Sequence, residues 1–443
     1  MDLKYIVLLC CIQWGAHAFS QVTLHMDEKY GGELVSISFR DSSYSVKLDE
    51  GGVAVLHVAD SLKAGYATLF APRSIHSFYL LPGTEQSLSL WADKHSLSFE
   101  GNGKEINEYL NSDFIRTLNL PYEKDEAAFI EEWERLPQRL QDNLDSYHFP
   151  ATFSEIESKR LYYLACNLLM AYPLYHTRLN KLKEYTPSDV YYRTIEKYLK
   201  EDEAANETWE YHQFYRDWIQ MKANQEVLSG SELDKLRYQL NYVEQYIKDA
   251  ELADYLVHNA ITTHLRYVGA EGIEEYAPLY HKMVKNSVRK NEFNRMYRQY
   301  AQLLLGAKAP SFSLPDIHGE NVALEQLAGN YVYIDVWASW CVPCCREFPK
   351  LKELEKRFEG KPIRFVSISI DNKIEEWKAK VEKEQLQGIL LHAGPDSSFR
   401  KDYKVNLIPH FILLDKEGHF INAKMSRPSD PKTLEYLDAL LNQ

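Results

Sequence analysis

Beyond the first eighteen positions, apolar and polar residues alternate in short runs. Glu33–Phe39 (ELVSISF), Tyr44–Leu48 and Val53–Val58 form one group, with Asp, Ser and Gly between them. Tyr66–Phe70, Phe78–Leu81 and Ser87–Trp91 form a second. A period of two puts neighbouring side chains on opposite faces of a strand, so each run predicts a half-buried strand. Their spacing predicts a small antiparallel β-sandwich over residues 19–102. Gly101 and Gly103 punctuate its end. Long segments rich in Leu, Tyr, Glu and Lys then predict a mostly helical region over 103–305. In Lys159–Tyr172, Leu161, Leu164, Leu168 and Leu169 share one helical face. Tyr238, Tyr242 and Tyr246 recur at helical spacing and read as a packing stripe rather than a ligand site. No fixed-period repeat argues for a solenoid.

A third pattern begins at Gly306–Pro310 (GAKAP) and covers 306–443. Tyr331–Trp337 is an apolar strand broken by one acid, Asp335. Val342–Phe358 reads as a helix, Ile363–Ile370 as a strand and Lys373–Glu384 as a helix. Phe411–Leu414 and His419–Ala423 form a hairpin about Lys416-Glu417-Gly418, and Pro431–Leu441 closes as a helix. The alternation predicts an α/β sheet with helices on its faces.

A chain of 443 residues exceeds one ordinary core, and 45 % hydrophobic with 26 % charged residues is globular composition. The formal charge of -13 argues against nucleic acid or an anionic membrane surface as the main partner. Residues 306–443 hold 19 Lys+Arg and 20 Asp+Glu, so nearly all the acid excess lies before them. Lys4, the short apolar run Tyr5–Ile12 and Ala16-His17-Ala18 read as a cleavable signal peptide over 1–18, with Phe19 after the cut. The run is too short to span a bilayer. The expected location is therefore the periplasm or cell envelope. Leu9 before Cys10 disfavours a lipoprotein signal, which wants a small residue there.

Six cysteines are present: Cys10, Cys11, Cys166, Cys341, Cys344 and Cys345. Cleavage leaves four, too few for a disulfide framework, and three of these are clustered. That clustering points to chemistry, while Cys166 sits in an apolar stretch and reads as a buried structural thiol. Trp340-Cys341-Val342-Pro343-Cys344 falls where a buried strand passes into a helix. At that position unpaired N–H groups favour a thiolate, so Cys341 is the expected nucleophile. Cys344, one turn on, can close a disulfide with it.

The stretch Trp337-Ala338-Ser339-Trp340-Cys341-Val342-Pro343-Cys344-Cys345-Arg346-Glu347-Phe348-Pro349, completed by Leu351, resembles the WCxPCxxExPxL pattern of the TlpA/ResA-like branch of the thioredoxin superfamily. Ala309-Pro310-Ser311-Phe312, Asp316 and Gly319 fit the same branch. The resemblance covers about a third of the chain. It implies a thioredoxin fold and a thiol–disulfide oxidoreductase needing no cofactor or metal. Family members typically reduce protein disulfides in the envelope and are re-reduced by a membrane or envelope thiol donor. Asp335 matches the buried acid that takes a proton from the resolving cysteine. Pro409 matches the cis-proline beside the active site, with Ile408 and Trp340 as substrate contacts. Pro349 matches the proline that kinks the active-site helix. Two residues depart from the pattern. Cys345 is either a packed side chain or an auxiliary thiol. His410 stands where threonine is commoner and is either a bystander or a group that tunes the thiolate near neutral pH.

Other readings use the same residues. Copper handling would combine Cys341 and Cys345 with His392 or His410. A thiol peroxidase would want Thr where Ala338 stands, and a zinc site would want a second cysteine pair. A further reading makes residues 19–305 a substrate-docking adaptor, resembling the regions that precede TlpA-like domains in some bacterial envelope proteins. The Val-Pro dipeptide leaves oxidase and isomerase directions open.

Overall fold

In the computed structural model, the described residues are 19–442 apart from 40, 41, 60, 61, 73 and 92–95. The expected signal peptide, with Cys10 and Cys11, lies outside them. The chain divides into two compact units, one ending at Tyr215 and the other beginning at Arg216.

Among the described residues the first unit opens with eight strands: β1 (Phe19–Met26), β2 (Leu34–Phe39), β3 (Ser42–Lys47), β4 (Val53–Ala59), β5 (Gly65–Ala71), β6 (Ser74–Leu80), β7 (Glu85–Trp91) and β8 (Ser96–Gly101). They form two four-stranded sheets, ordered β4-β1-β7-β8 and β3-β2-β5-β6. Val22, Leu24, Val35, Ile37, Leu56, Val58, Leu69 and Phe78 make one core between them. Alternation is the cause: Val22, Leu24 and Met26 turn inward from β1 while Thr23 and His25 do not. The expected sandwich therefore forms, with one correction. β1 pairs with β7 in parallel, so the first sheet is mixed rather than purely antiparallel. The first described strand is inserted between later ones, and local pattern carries no record of that pairing.

The helical part of this unit is anchored to the sandwich through the helix Ala151–Met170. Its buried face is Leu161, Tyr163, Ala165, Cys166 and Leu169, with Leu164 and Leu168 only half-buried. The face is rotated from the expected leucine stripe because this helix also buries a charge network. Glu157 accepts two hydrogen bonds from Arg160, each 2.7 Å. It accepts a third from the Tyr66 hydroxyl on β5, and Arg160 reaches on to Glu210 at 2.8 Å. Cys166 is buried as expected, and burial pushes its thiol far above its ordinary range.

In the second unit the helices Glu232–Tyr246, Ala250–Tyr267 and Ser287–Ala301 precede the sheet. The tyrosine stripe runs beside the buried face rather than forming it. Leu236, Leu240 and Val243 are buried, whereas Tyr238 and Tyr242 are half-buried and Tyr246 is exposed. A small hairpin, β9 (Ser313–Pro315) with β10 (Asn321–Ala323), leads into β11 (Tyr331–Trp337). β12 (Ile363–Ser369), β13 (Ile389–His392), β14 (His410–Leu414) and β15 (Phe420–Met425) complete a sheet ordered β13-β12-β11-β14-β15. β11 is central, parallel to β12 and antiparallel to β14. Such a strand is covered on both faces, which explains a run that is apolar but for Asp335. The expected continuous helix Val342–Phe358 is instead two, Val342–Cys345 and Phe348–Arg357. Pro349 lies in the first turn of the second, where its missing N–H costs no helical bond.

Replacing Glu157 by Ala leaves Arg160 in a buried site with Glu210 as its remaining carboxylate and the Tyr66 ring beside it. A loss of about 3 kcal/mol is expected, read as a lowered midpoint in urea unfolding followed by far-ultraviolet circular dichroism.

Candidate active site

β11 ends at Trp337, which is fully buried and packs edge-on against Phe348 with centroids 5.0 Å apart. Five residues later the chain enters the short helix at Val342. Between them the Ser339 turn is tied down from the neighbouring strand. Asp371 follows β12 and is fully buried. Its carboxylate accepts from Ser339 N at 2.8 Å, from Ser339 Oγ at 2.7 Å and from Ser369 Oγ at 2.8 Å. The Cys341 N–H then donates to Ala338 O at 3.0 Å. Sequence reasoning missed Asp371. Its one signal was an acid standing directly after a buried strand.

Cys341 occupies the N-cap of the short helix, and the Cys344 backbone N–H donates to its Sγ at 3.2 Å. That is the stabilising contact expected for a thiolate at a helix start. The two cysteines form a disulfide, with Cα atoms 5.3 Å apart. Both are buried, while Trp340 and Val342 beside Cys341 are exposed.

Asp335 lies on β11 within the interior. The Ser367 hydroxyl donates to it at 3.3 Å. Burial pushes its carboxyl up to about 7, and Glu355 and Glu347 push in the same direction. Burial raises Glu355 to about 7 as well. Glu347 is held by Ser429, whose N and Oγ donate at 3.0 and 2.9 Å.

The Ile408–Pro409 peptide is cis. His410, next in sequence, begins β14, and its Nε2 donates to Ala423 O at 2.9 Å. Burial lowers its pKa to about 4, with Lys424 adding to the effect. It is therefore neutral near pH 7, which removes the expectation that it titrates with the thiolate. His392 Nε2 donates to the Asp371 carbonyl at 2.9 Å. Each imidazole of the copper reading thus has its Nε2 engaged by a backbone carbonyl. Cys345 Sγ is 3.9 Å from Ser339 O and is not part of the disulfide.

Comparison with known proteins decides the family of this part of the chain. Residues 304–441 match the Redoxin family. The C-terminal third is a redoxin domain of the thioredoxin superfamily. It is homologous, at low identity, to ResA-type oxidoreductases. "Thiol-disulfide oxidoreductase ResA" of Bacillus thuringiensis subsp. konkukian is 27% identical over 134 residues, 30% of this chain and 76% of the relative. "Thioredoxin-like protein YneN" of Bacillus subtilis is 30% identical over 122 residues, 26% of this chain and 66% of the relative. A solution structure from Bacteroides vulgatus, of a protein assigned as a thiol-disulfide oxidoreductase, is 54% identical. It covers 30% of this chain and 89% of its own, with a TM-score of 0.29. The close cysteine pair within the redoxin domain supports thiol–disulfide oxidoreductase activity.

The raised acids make stability depend on pH. Asp335 shifts from an ordinary 3.8 to about 7 in the native protein. The native state thus holds the proton more tightly, so this contribution is full below about pH 4 and is lost as pH rises through 7. At about 1.4 kcal/mol per pH unit, Asp335 accounts for at most about 4 kcal/mol. Urea unfolding of the oxidised protein at pH 5 and pH 8 checks this. Asp335→Asn should remove that share, leaving the smaller slope due to Glu355.

Proposed function

We propose that the chain is an exported TlpA/ResA-type oxidoreductase that reduces disulfides of envelope proteins through Cys341 and Cys344. The single observation that carries this reading is Cys341 at a helix start with the Cys344 N–H on its sulfur, 3.2 Å away. In the reduced protein that contact favours the Cys341 thiolate over the thiol.

The reaction follows from the pair. The Cys341 thiolate attacks one sulfur of a substrate disulfide. The substrate S–S bond breaks, a Cys341–substrate disulfide forms, and one substrate thiolate leaves. Asp335, poised near neutrality by burial, takes up the Cys344 proton. The Cys344 sulfur then attacks Cys341, forming the intramolecular disulfide and releasing the second substrate sulfur as a thiolate. Two electrons have passed from the dithiol to the substrate. Ile408, Pro409 and Trp340 form the substrate contacts. A membrane or envelope thiol donor returns the electrons by the reverse exchange. Asp371 acts through the turn, holding Ser339 so that Cys341 meets the helix start. Export by residues 1–18 would supply the compartment, and no organic cofactor enters the scheme. The domain limits 19–102, 103–305 and 306–443 belong to this proposal, with the redox chemistry confined to the last.

Two variants test it in the dithiothreitol-driven reduction of insulin. Cys341→Ser should fall to the rate of dithiothreitol alone. Cys344→Ser, pre-reduced, freed of dithiothreitol and then mixed with insulin, should accumulate a mixed disulfide with the substrate, visible as a mass increase that added reductant reverses. Full insulin reduction by Cys341→Ser would refute the assignment.

A further inference from the structure

Within the unit that begins at Arg216, the helix Ala250–Tyr267 meets the segment that precedes Pro409. The Arg266 carbonyl accepts Asn406 Nδ2 at 3.2 Å and Lys424 Nζ at 2.8 Å. Asn406 Nδ2 also donates to the Tyr300 hydroxyl at 2.6 Å. Lys424 Nζ stands 5.5 Å from the centroid of the same tyrosine ring. Three polar contacts and a cation–π contact therefore fix the end of that helix beside residue 406.

Apolar side chains on both sides of this clamp are left in solvent. Leu407, directly after Asn406, is 62% exposed. Tyr267 and Val268, directly after Arg266, are 49% and 38% exposed. Tyr267 lies close enough to Tyr300 to act electrostatically on its hydroxyl. Trp340 and Val342, flanking Cys341, are 64% and 60% exposed. The backbone between these groups is also unused. Among the described residues, no hydrogen bond engages the N–H or C=O of Leu407 or Ile408. An exposed stretch of unpaired backbone lined by apolar side chains is what an added strand requires.

We infer that Tyr267 and Val268 form a second wall of the substrate groove, continuous with Leu407, Trp340 and Val342. Its occupant is an extended polypeptide segment beside the substrate disulfide, with apolar side chains at alternate positions. The helical region is then part of the recognition surface. A small disulfide engages only the groups at Cys341, whereas a protein disulfide also uses the wall. This inference rests on the reading of Cys341–Cys344 as a redox pair acting on protein disulfides.

The test compares full-length wild type with Tyr267→Asp and Val268→Asp. The readout is the ratio of kcat/KM for insulin to kcat/KM for hydroxyethyl disulfide. Each variant should lower this ratio about ten-fold, chiefly through a higher KM for insulin. The reduction potential of the pair should not move. A fully reduced, S-alkylated insulin B chain gives a second measurement. It should compete with insulin on the wild type and compete more weakly on Tyr267→Asp. An unchanged ratio in an active enzyme would overturn the wall and leave the redox assignment standing. A wild type inactive on both substrates would overturn the redox reading, and the wall with it.

Discussion

The site depends on the Asp371 carboxylate holding the Ser339 turn. A central strand that is buried on both faces delivers the chain to the sheet's end with no freedom left. The helix that follows must start at Cys341 if its first N–H groups are to face that sulfur. The residues between form a turn in which the Cys341 N–H donates to Ala338 O, and that turn needs further support from outside. Bonds from both Ser339 N and Ser339 Oγ to one buried carboxylate supply that support. Burial limits competition from solvent for both bonds. The sulfur position, and hence the contact from the Cys344 N–H, follows from this anchor.

A second constraint is the acid buried within β11. Asp335 belongs to the same strand and has no cation among the groups that act on its pKa. A lone hydroxyl, Ser367, partly offsets burial, and two further carboxylates oppose ionisation. The protein gives up stability near neutral pH to hold a carboxyl that can change protonation there. That trade is common at functional sites, where a group optimal for chemistry is poor for folding. Burial of Glu157 with Arg160 in the first unit is a different case. There a guanidinium bridges two carboxylates, and the network ties a helix to the sandwich.

The helical segment from Arg216 onward is joined to the sheet unit by directional contacts rather than by a linker alone. Asn406 and Lys424 converge on one carbonyl at a helix end, where acceptors lack intrahelical partners. Lys424 lies in a site where burial lowers its ammonium to about 8, so its hydrogen bond and the Tyr300 ring partly replace lost hydration.

Much of the site was legible in the sequence because its signals are local. Cys341 and Cys344 are three residues apart, and β11 is one uninterrupted apolar run with a single acid. The bounds Tyr331–Trp337 and Pro431–Leu441 follow from apolar pattern and turn residues within each segment. What only the tertiary structure decided involves partners distant along the chain. Asp371 meets Ser339 across 32 positions, and Asn406 meets Arg266 across 140. The parallel pairing of β1 with β7, the rotated face of Ala151–Met170 and the neutral state of His410 are of the same kind. Periodicity reports which face of an element is apolar, because that depends on neighbours within a turn or two. It cannot report which other element covers that face, or how deeply a polar group is buried, because those depend on the whole fold.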